Sequence, residues 1–282
     1  MSAIKEKYAP FFLFASAFLW SLCGIFTKTT AWNGVCLATL RGVISFVVVL
    51  ILLRGRRIRV NRVRLLVAVC YFAQGVLFVS ANKLTTAANA TAIQNMSPLF
   101  IILFGALLYK KLPGRREILT CLLLFAGIAL AFAGNFSGGA LTGNLCALLS
   151  AVFYAGVFFF SKDAQADPLE SLLLGNACYL FLLPYMLTNE AVRQTGAGEW
   201  CYLLILAGLS GIVAWLCFSV GIKKTSALQA NFITMAEPVM SPLWTFIFLG
   251  ERVRPLALIG CGLVIVTLIV YNTGQLRQTA NE

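Results

Sequence analysis

KKTSALQANFITMAEPVMSPLWTFIFLGE, residues 223–251, is the stretch on which the reading of the fold turns. It is apolar over a length that crosses a bilayer, yet it contains Asn231, Thr234 and Glu237, followed by Pro238 and Pro242. Proline removes a backbone donor and clashes with the preceding turn, so helix interiors ordinarily avoid it. A carboxylate at membrane depth costs roughly 3 kcal/mol or more unless it is paired, protonated or facing water. A span carrying both features is expected to line a cavity. The plainer account is a kinked packing helix whose Glu237 is protonated and bonded to a neighbour.

The same pattern occurs 140 positions earlier, in KLTTAANATAIQNMSPLFIILFGALLYKKL (residues 83–112). Lys83 falls on Lys223, Thr85 on Thr225, Ala90 on Ala230, Pro98 on Pro238, Leu103 on Leu243 and Cys121 on Cys261. Polar positions correspond too: Thr91 with Asn231, Gln94 with Thr234, Ser97 with Glu237. An ordered series of this kind implies a duplicated unit, residues 1–137 followed by 138–282. The junction is FSGGALT (residues 136–142), uncharged and glycine-rich.

With 60% hydrophobic and 11% charged residues, the composition is far from the soluble norm of about 25% charged. The net charge of +12 sits in short connectors between apolar spans, with no patch of interleaved aromatics. The basic residues therefore read as topology determinants, and no nucleic-acid partner is expected. Histidine is absent, which removes the commonest general base, metal ligand and proton relay. The nine cysteines are scattered singly and include no CxxC, so no metal site or disulfide framework is expected, and no cofactor.

Ten windows are long and apolar enough to cross the hydrocarbon core: 10–27, 35–53, 65–81, 87–109, 118–134, 145–161, 169–187, 200–222, 227–249 and 256–271. Little alternation of period two is present, so helices are expected, not a barrel. If the N-terminus is cytoplasmic, 16 of the 22 Lys and Arg fall inside and five outside, with Arg41 within a span. That bias places both termini in the cytoplasm of a multi-pass protein of the cell (plasma or inner) membrane. A nine-span count is the main competitor, because the window 169–187 contains Asn176 and Pro184. Five spans per unit reverse the direction of the second, giving two inverted five-helix repeats around a central cavity, an all-α architecture suited to alternating access. FASAFLWSLCGIFTK (residues 14–28) aligns with LLSAVFYAGVFFFSK (residues 148–162), setting Trp20 opposite Tyr154 and Ser16 opposite Ser150. The longest connector, near 189–199, leaves no room for a soluble domain.

These segments resemble the drug/metabolite transporter superfamily, and within it the ten-helix EamA-type transporters that include aromatic amino-acid exporters. FLWSLCGIFTK is similar to that family's first-helix motif, and LATLRGVISFVVV, with Arg41, to its second. IQNMSPLF and EPVMSPLWTFIFLGE match the fourth- and ninth-helix motifs, with Gly250-Glu251 closing the second copy. The first copy departs, having Tyr109-Lys110-Lys111 where the family often has Leu-Gly-Glu. The resemblance implies a cavity lined largely by helices 1, 3, 4, 6, 8 and 9, and movement of amino acids, nucleosides, choline, sugars or drugs, usually outward.

At 3.6 residues per turn, Thr91, Gln94, Asn95 and Pro98 share an arc of roughly 100°. Asn231, Thr234 and Pro238 share the equivalent arc, with Glu237 on its shoulder. These polar residues are candidate substrate contacts beside the helix kinks at Pro98 and Pro238; the competing reading is polar glue between helices. Trp20, Tyr71, Tyr154 and Trp215 lie within spans, not at their interfacial ends, and suit flat or cationic ligands, although core packing is the ordinary role of a buried aromatic. Glu237 is the side chain available for proton coupling or cation binding. Arg41, about two turns from the outer end of its span, reads as a structural anchor. The expected activity is secondary transport, in the direction of export, of a small organic metabolite such as an amino acid, by a monomer or homodimer. A membrane-embedded enzyme would need a nucleophile, acid–base pair or metal set that the sequence does not display. A passive channel would need a charge ring or filter loop, also not displayed.

Overall fold

The computed structural model describes residues 8–22, 30–85, 87–110, 112–131, 141–240 and 255–281. Lys5, Lys7, Lys28, Pro242, residues 250–254 and most of the 136–142 junction lie outside them. The described residues are all-helical, without strands. In order they form α1 (Ala9–Ser21), α2 (Gly34–Leu52), α3 (Arg62–Leu84), α4 (Ala87–Gln94), α5 (Ser97–Tyr109), α6 (Arg115–Ala131), α7 (Leu141–Phe160) and α8 (Pro168–Ala177). Then come α9 (Leu183–Thr188), α10 (Glu190–Arg193), α11 (Ala197–Leu206), α12 (Ala214–Gly221), α13 (Ala227–Thr234) and α14 (Pro255–Asn281).

Six stretches are long and apolar enough to span a membrane: α2, α3, Asn89–Tyr109, α7, Pro168–Thr188 and Ala197–Lys224. Shorter apolar helices occupy Ala9–Ser21 and Leu258–Gly274. The stretch with Asn176 and Pro184 is among the six. It accommodates Pro184 by changing helix type, with a 3₁₀ turn at Cys178–Leu182 that lets proline sit in the first turn of α9. The connector near residues 189–199 is not bare loop: Asn189 caps the one-turn α10 through Ala191 N–H, and α11 begins at Ala197.

The two proline segments break in the same way. α4 stops at Gln94, residues 95–96 form a turn, and helix resumes at Ser97 with Pro98 in its first turn. α13 stops at Thr234, residues 235–236 form a turn, and helix resumes at Glu237 before Pro238. In both cases proline, lacking an N–H, occupies a position where no intrahelical donor is required. The break thus recurs at the offset of 140 seen in the sequence.

Packing runs across the chain, not along it. α3 lies against α7 and α8; α1 lies against α12 and α13; α6 pairs with α14. Small residues permit these approaches: Ser16 Oγ donates to Ala214 O at 2.8 Å, joining α1 to α12. Ser45 Oγ donates to Gly211 O at 2.9 Å, holding α2 against a π-helical segment, Ala207–Val213, between α11 and α12.

Candidate functional site

Inside the bundle is a cavity with about 590 Å³ of empty space, part of it continuous with solvent. One stripe of each neighbouring helix faces it. α3 contributes Tyr71, Gln74, Gly75, Phe78 and Val79, the i, i+3, i+4, i+7, i+8 positions of a single helical face. α2 contributes Ala38, Arg41 and Gly42 with the same spacing. Trp20, Gln94, Tyr154, Tyr179, Gly211, Trp215 and Glu237 complete the wall.

The aromatic part of that wall is continuous. Tyr71 meets Trp215 edge-on at 4.5 Å, Trp215 meets Trp20 at 4.7 Å, and Trp20 meets Tyr154 at 6.2 Å. Phe218 backs both tryptophans and, through Phe158, reaches Tyr154. Edge-to-face contacts of this sort fix ring planes, giving a rigid apolar surface. A second ring group depends on two glycines: a Cβ at Gly42 would lie 2.0 Å from the Tyr179 ring, and one at Gly75 would lie 2.2 Å from its hydroxyl. Tyr179 thus crosses the faces of α2 and α3 where only glycine leaves room.

The polar part consists of Arg41, Gln74, Gln94 and Glu237. Gln94 is positioned by α7, its Nε2 donating to Ser150 Oγ at 3.1 Å. Arg41 and Glu237 bring a guanidinium and a carboxyl group to one cavity from different elements, and the partly buried setting strengthens any electrostatic interaction between them.

Among the residues singled out from sequence, Trp20, Tyr71, Gln94, Tyr154, Trp215 and Glu237 come together on this wall. Thr91, Asn95, Asn231 and Thr234 do not line it. Asn95 Nδ2 bonds back to Thr91 O at 2.8 Å, and Thr234 Oγ1 to Asn231 O at 2.8 Å. Asn231 Nδ2 donates to Ser97 Oγ at 2.9 Å, linking the two proline-broken segments at their buried centre. Pro98 and Pro238 are buried beside these bonds. Sequence reading missed Gln74, Tyr179 and the placement of Arg41. For Gln74 a signal existed: it is a polar residue three positions after Tyr71 on an otherwise apolar span.

Comparison with known proteins gives consistent results. The model described as the EamA-like transporter family matches residues 7–133 and again residues 141–273. An uncharacterized transporter of Archaeoglobus fulgidus is 25% identical over 271 residues, which are 94% of this chain and 96% of that protein. A probable terminal-alkyne amino-acid exporter of Streptantibioticus cattleyicolor is 25% identical over 195 residues, 66% of this chain and 64% of its own length. A solved crystal structure superposes with a TM-score of 0.76 at 22% identity, covering 93% of this chain and 97% of the other. That last likeness concerns the fold alone.

Proposed function

The chain belongs to the EamA-like transporter family, and from that premise we propose that it is a secondary transporter which exports small organic metabolites such as amino acids. It is a multi-pass membrane protein of a family of transporters, not an enzyme. The observation that carries the proposal is the cavity: rings and charges from six or more elements converge on one space between helices. Sites built that way bind small molecules through an apolar body and a few placed polar groups.

Alternating access of two inverted five-helix repeats is the mechanism we propose. Three features support it. Helix occurs in every one of the ten apolar windows, the break at residues 95–96 recurs at 235–236, and the family model matches each half. Packing supports it as well, because contacts have counterparts when the halves are exchanged. α1–α12 corresponds to α7–α3, α13–α1 to α4–α7, and α6–α14 to itself. Such pairing is what a pseudo-two-fold relation between halves requires. The excess of Lys and Arg in alternate connectors supports cytoplasmic termini. The name of one relative, an amino-acid exporter, is the support for both substrate and direction.

Purified protein in liposomes tests this. With amino acids as probes, saturable flux and counterflow are expected, with accumulation altered by an imposed pH gradient where transport is proton-coupled. Flux that neither saturates nor shows counterflow would make the protein a channel instead. Absence of flux for every metabolite in a mixed pool would overturn the transport reading.

A further inference from the structure

We propose that the connector between α2 and α3 is a binding surface for anionic phospholipid, its arginines taking the headgroup phosphate and the outer faces of the two helices taking the acyl chains. The inference does not depend on what the central cavity carries. It starts from RGRRIRVNRVR (residues 54–64), which holds six arginines, no lysine and no acid. The other sixteen basic residues of the chain are nine lysines and seven arginines. Orientation in a membrane is set by positive charge of either kind, so it gives no reason for arginine alone. Phosphate does give one. The guanidinium fork offers it two parallel N–H donors, where an ammonium group acts as a point charge.

The arginines stand on an ordered segment. Gly55, at φ 85°, turns the chain out of α2. Arg59 N–H donates to Glu170 Oε2 at 3.0 Å, Arg64 Nη1 donates to Arg59 O at 2.7 Å, and Asn61 Nδ2 donates to Gln165 O at 3.0 Å. Above this backbone the side chains of Arg54, Arg56, Arg57, Arg59 and Arg62 are exposed, and among the described residues none of the five has a hydrogen-bond or ion-pair partner. The acids at this end are turned to other groups: Glu170 pairs with Arg64 and Asp167 with Lys223, Glu117 accepts from Gly114 N–H and Asp163 from Gln165 N–H. Among the described residues, then, no acid is spent on the five arginines, and a molecule that binds them brings the negative charge with it.

The surface beside the arginines identifies that molecule. Ile51 and Leu52 on the last turn of α2, and Leu65 and Leu66 on the first turn of α3, are exposed apolar side chains. Ile58 and Val60 are exposed between the arginines themselves. A phosphate that carries long apolar chains matches both parts of this surface, whereas a soluble phosphate or a nucleic acid matches the arginines alone. Basic clusters that adjoin a membrane span attract acidic headgroups, each basic residue near the surface contributing about fivefold in affinity.

The test is equilibrium binding of a tail-labelled phosphatidylglycerol to the purified, delipidated full chain in an uncharged detergent, with equally labelled phosphatidylcholine as the neutral comparison. The parent is expected to bind phosphatidylglycerol about tenfold or more tightly than phosphatidylcholine, with a preference that falls as salt rises. Arg57→Gln with Arg59→Gln removes two charges and keeps the other four arginines to hold the orientation; it should lower that affinity about tenfold or more. Lys110→Gln with Arg115→Gln removes two charges from the connector between α5 and α6 and should leave the affinity close to the parent's. Arg57→Lys with Arg59→Lys, which restores the charge without the fork, should recover part of the loss. No recovery at all would assign the loss to a distorted connector and overturn the proposal. Equal losses for the two glutamine pairs would reduce the effect to the general positive field of the molecule and overturn it too, as would equal binding of the two lipids by the parent. Displacement of the label by glycerol 1-phosphate as effectively as by unlabelled phosphatidylglycerol would make this a site for soluble phosphate, which overturns the assignment to lipid.

Discussion

Trp20 packs against Trp215, Phe218 and Tyr154 while one edge faces the cavity, so two of its possible roles must be separated by the choice of substitution. Trp20→Ala removes every ring contact and should cost about 3–5 kcal/mol through the void it leaves, whatever its role in binding. Trp20→Phe keeps a ring and part of the packing, so thermal stability should fall by less than it does in Trp20→Ala. If the indole covers the substrate, affinity should nevertheless fall severalfold in a binding titration. Unchanged affinity would assign Trp20 to packing alone. The aromatic wall was legible because aromatics in mid-span, away from the interfacial belts, stand out in a linear pattern. Arg41 and Tyr179 were not, since hydropathy reports depth but not which face of a helix a residue occupies. The arc that grouped Thr91, Asn95, Asn231 and Thr234 marked a helix face but not what it meets: Asn95, Asn231 and Thr234 close bonds within or between the broken segments.

At the scale of the element, the end of α5 holds a non-glycine residue in a conformation that favours glycine. Lys110 stands there in the left-handed conformation, φ 52° and ψ 27°, with its N–H bonded to Gly105 O. A Cβ in that region meets the following carbonyl, at roughly 1–2 kcal/mol for an ordinary residue, whereas glycine has none to place. The residue 140 positions on is Gly250, which lies outside the described residues. Lys110→Gly is therefore expected to stabilise the protein by about 0.5–1 kcal/mol, the relief being partly offset by the greater freedom of glycine in the unfolded chain. Lys110→Ala, which keeps the Cβ, should not stabilise. Thermal unfolding in one detergent would compare the three; a midpoint for Lys110→Gly at or below the parent's would mean that no strain is stored there. Helix breaks at proline could be read from sequence because the cause is local. The π-helical turn at Ala207–Val213 could not, because part of what holds it is the hydroxyl of Ser45, 166 positions away.

Across the whole molecule, two sets of contacts close opposite ends of the bundle, and the cavity lies nearer one of them. At one end Lys83 donates to Thr30 O and Trp32 Nε1 to Thr195 Oγ1; Ala38, Phe78 and Val79 reach the cavity from about one to two turns away. At the other, basic end, Arg64 pairs with Glu170, Lys162 caps the carbonyl of Ile222, and Asp167 pairs with Lys223 at 3.4 Å. Between the cavity and that end stand Tyr71 and Trp215, which also form the roof of a narrow pocket lined by Val67, Ser161 and Ser219. Under the proposed alternating access, opening toward the basic end would require the aromatic pair to part and the contacts below it to loosen. Asp167 sets one of those contacts. Burial alone would push its carboxyl up, but Lys223 and the N–H groups of Glu170 and Leu169 outweigh it and hold the group below the usual carboxylate range. A lowered folded value means that the stabilisation is complete above the unfolded value of about 3.9 and is lost only as pH falls through the folded one. Between pH 5 and 8 the contact is constant, so pH dependence of transport in that window should survive Asp167→Asn. The substitution keeps the side-chain oxygen that caps α8 but removes the charge facing Lys223. Because that pair is partly exposed, it contributes about 0.2–1 kcal/mol, which limits the shift toward the basic-end-open form to about fivefold. In a background lacking other cysteines, Ser219→Cys should accordingly react up to about fivefold faster with an impermeant thiol reagent applied from the basic side when Asp167→Asn is present, and Ala38→Cys more slowly from the opposite side. Identical rates with and without Asp167→Asn would remove the ion pair from the closure, leaving the Tyr71–Trp215 contact as the barrier between the two pockets.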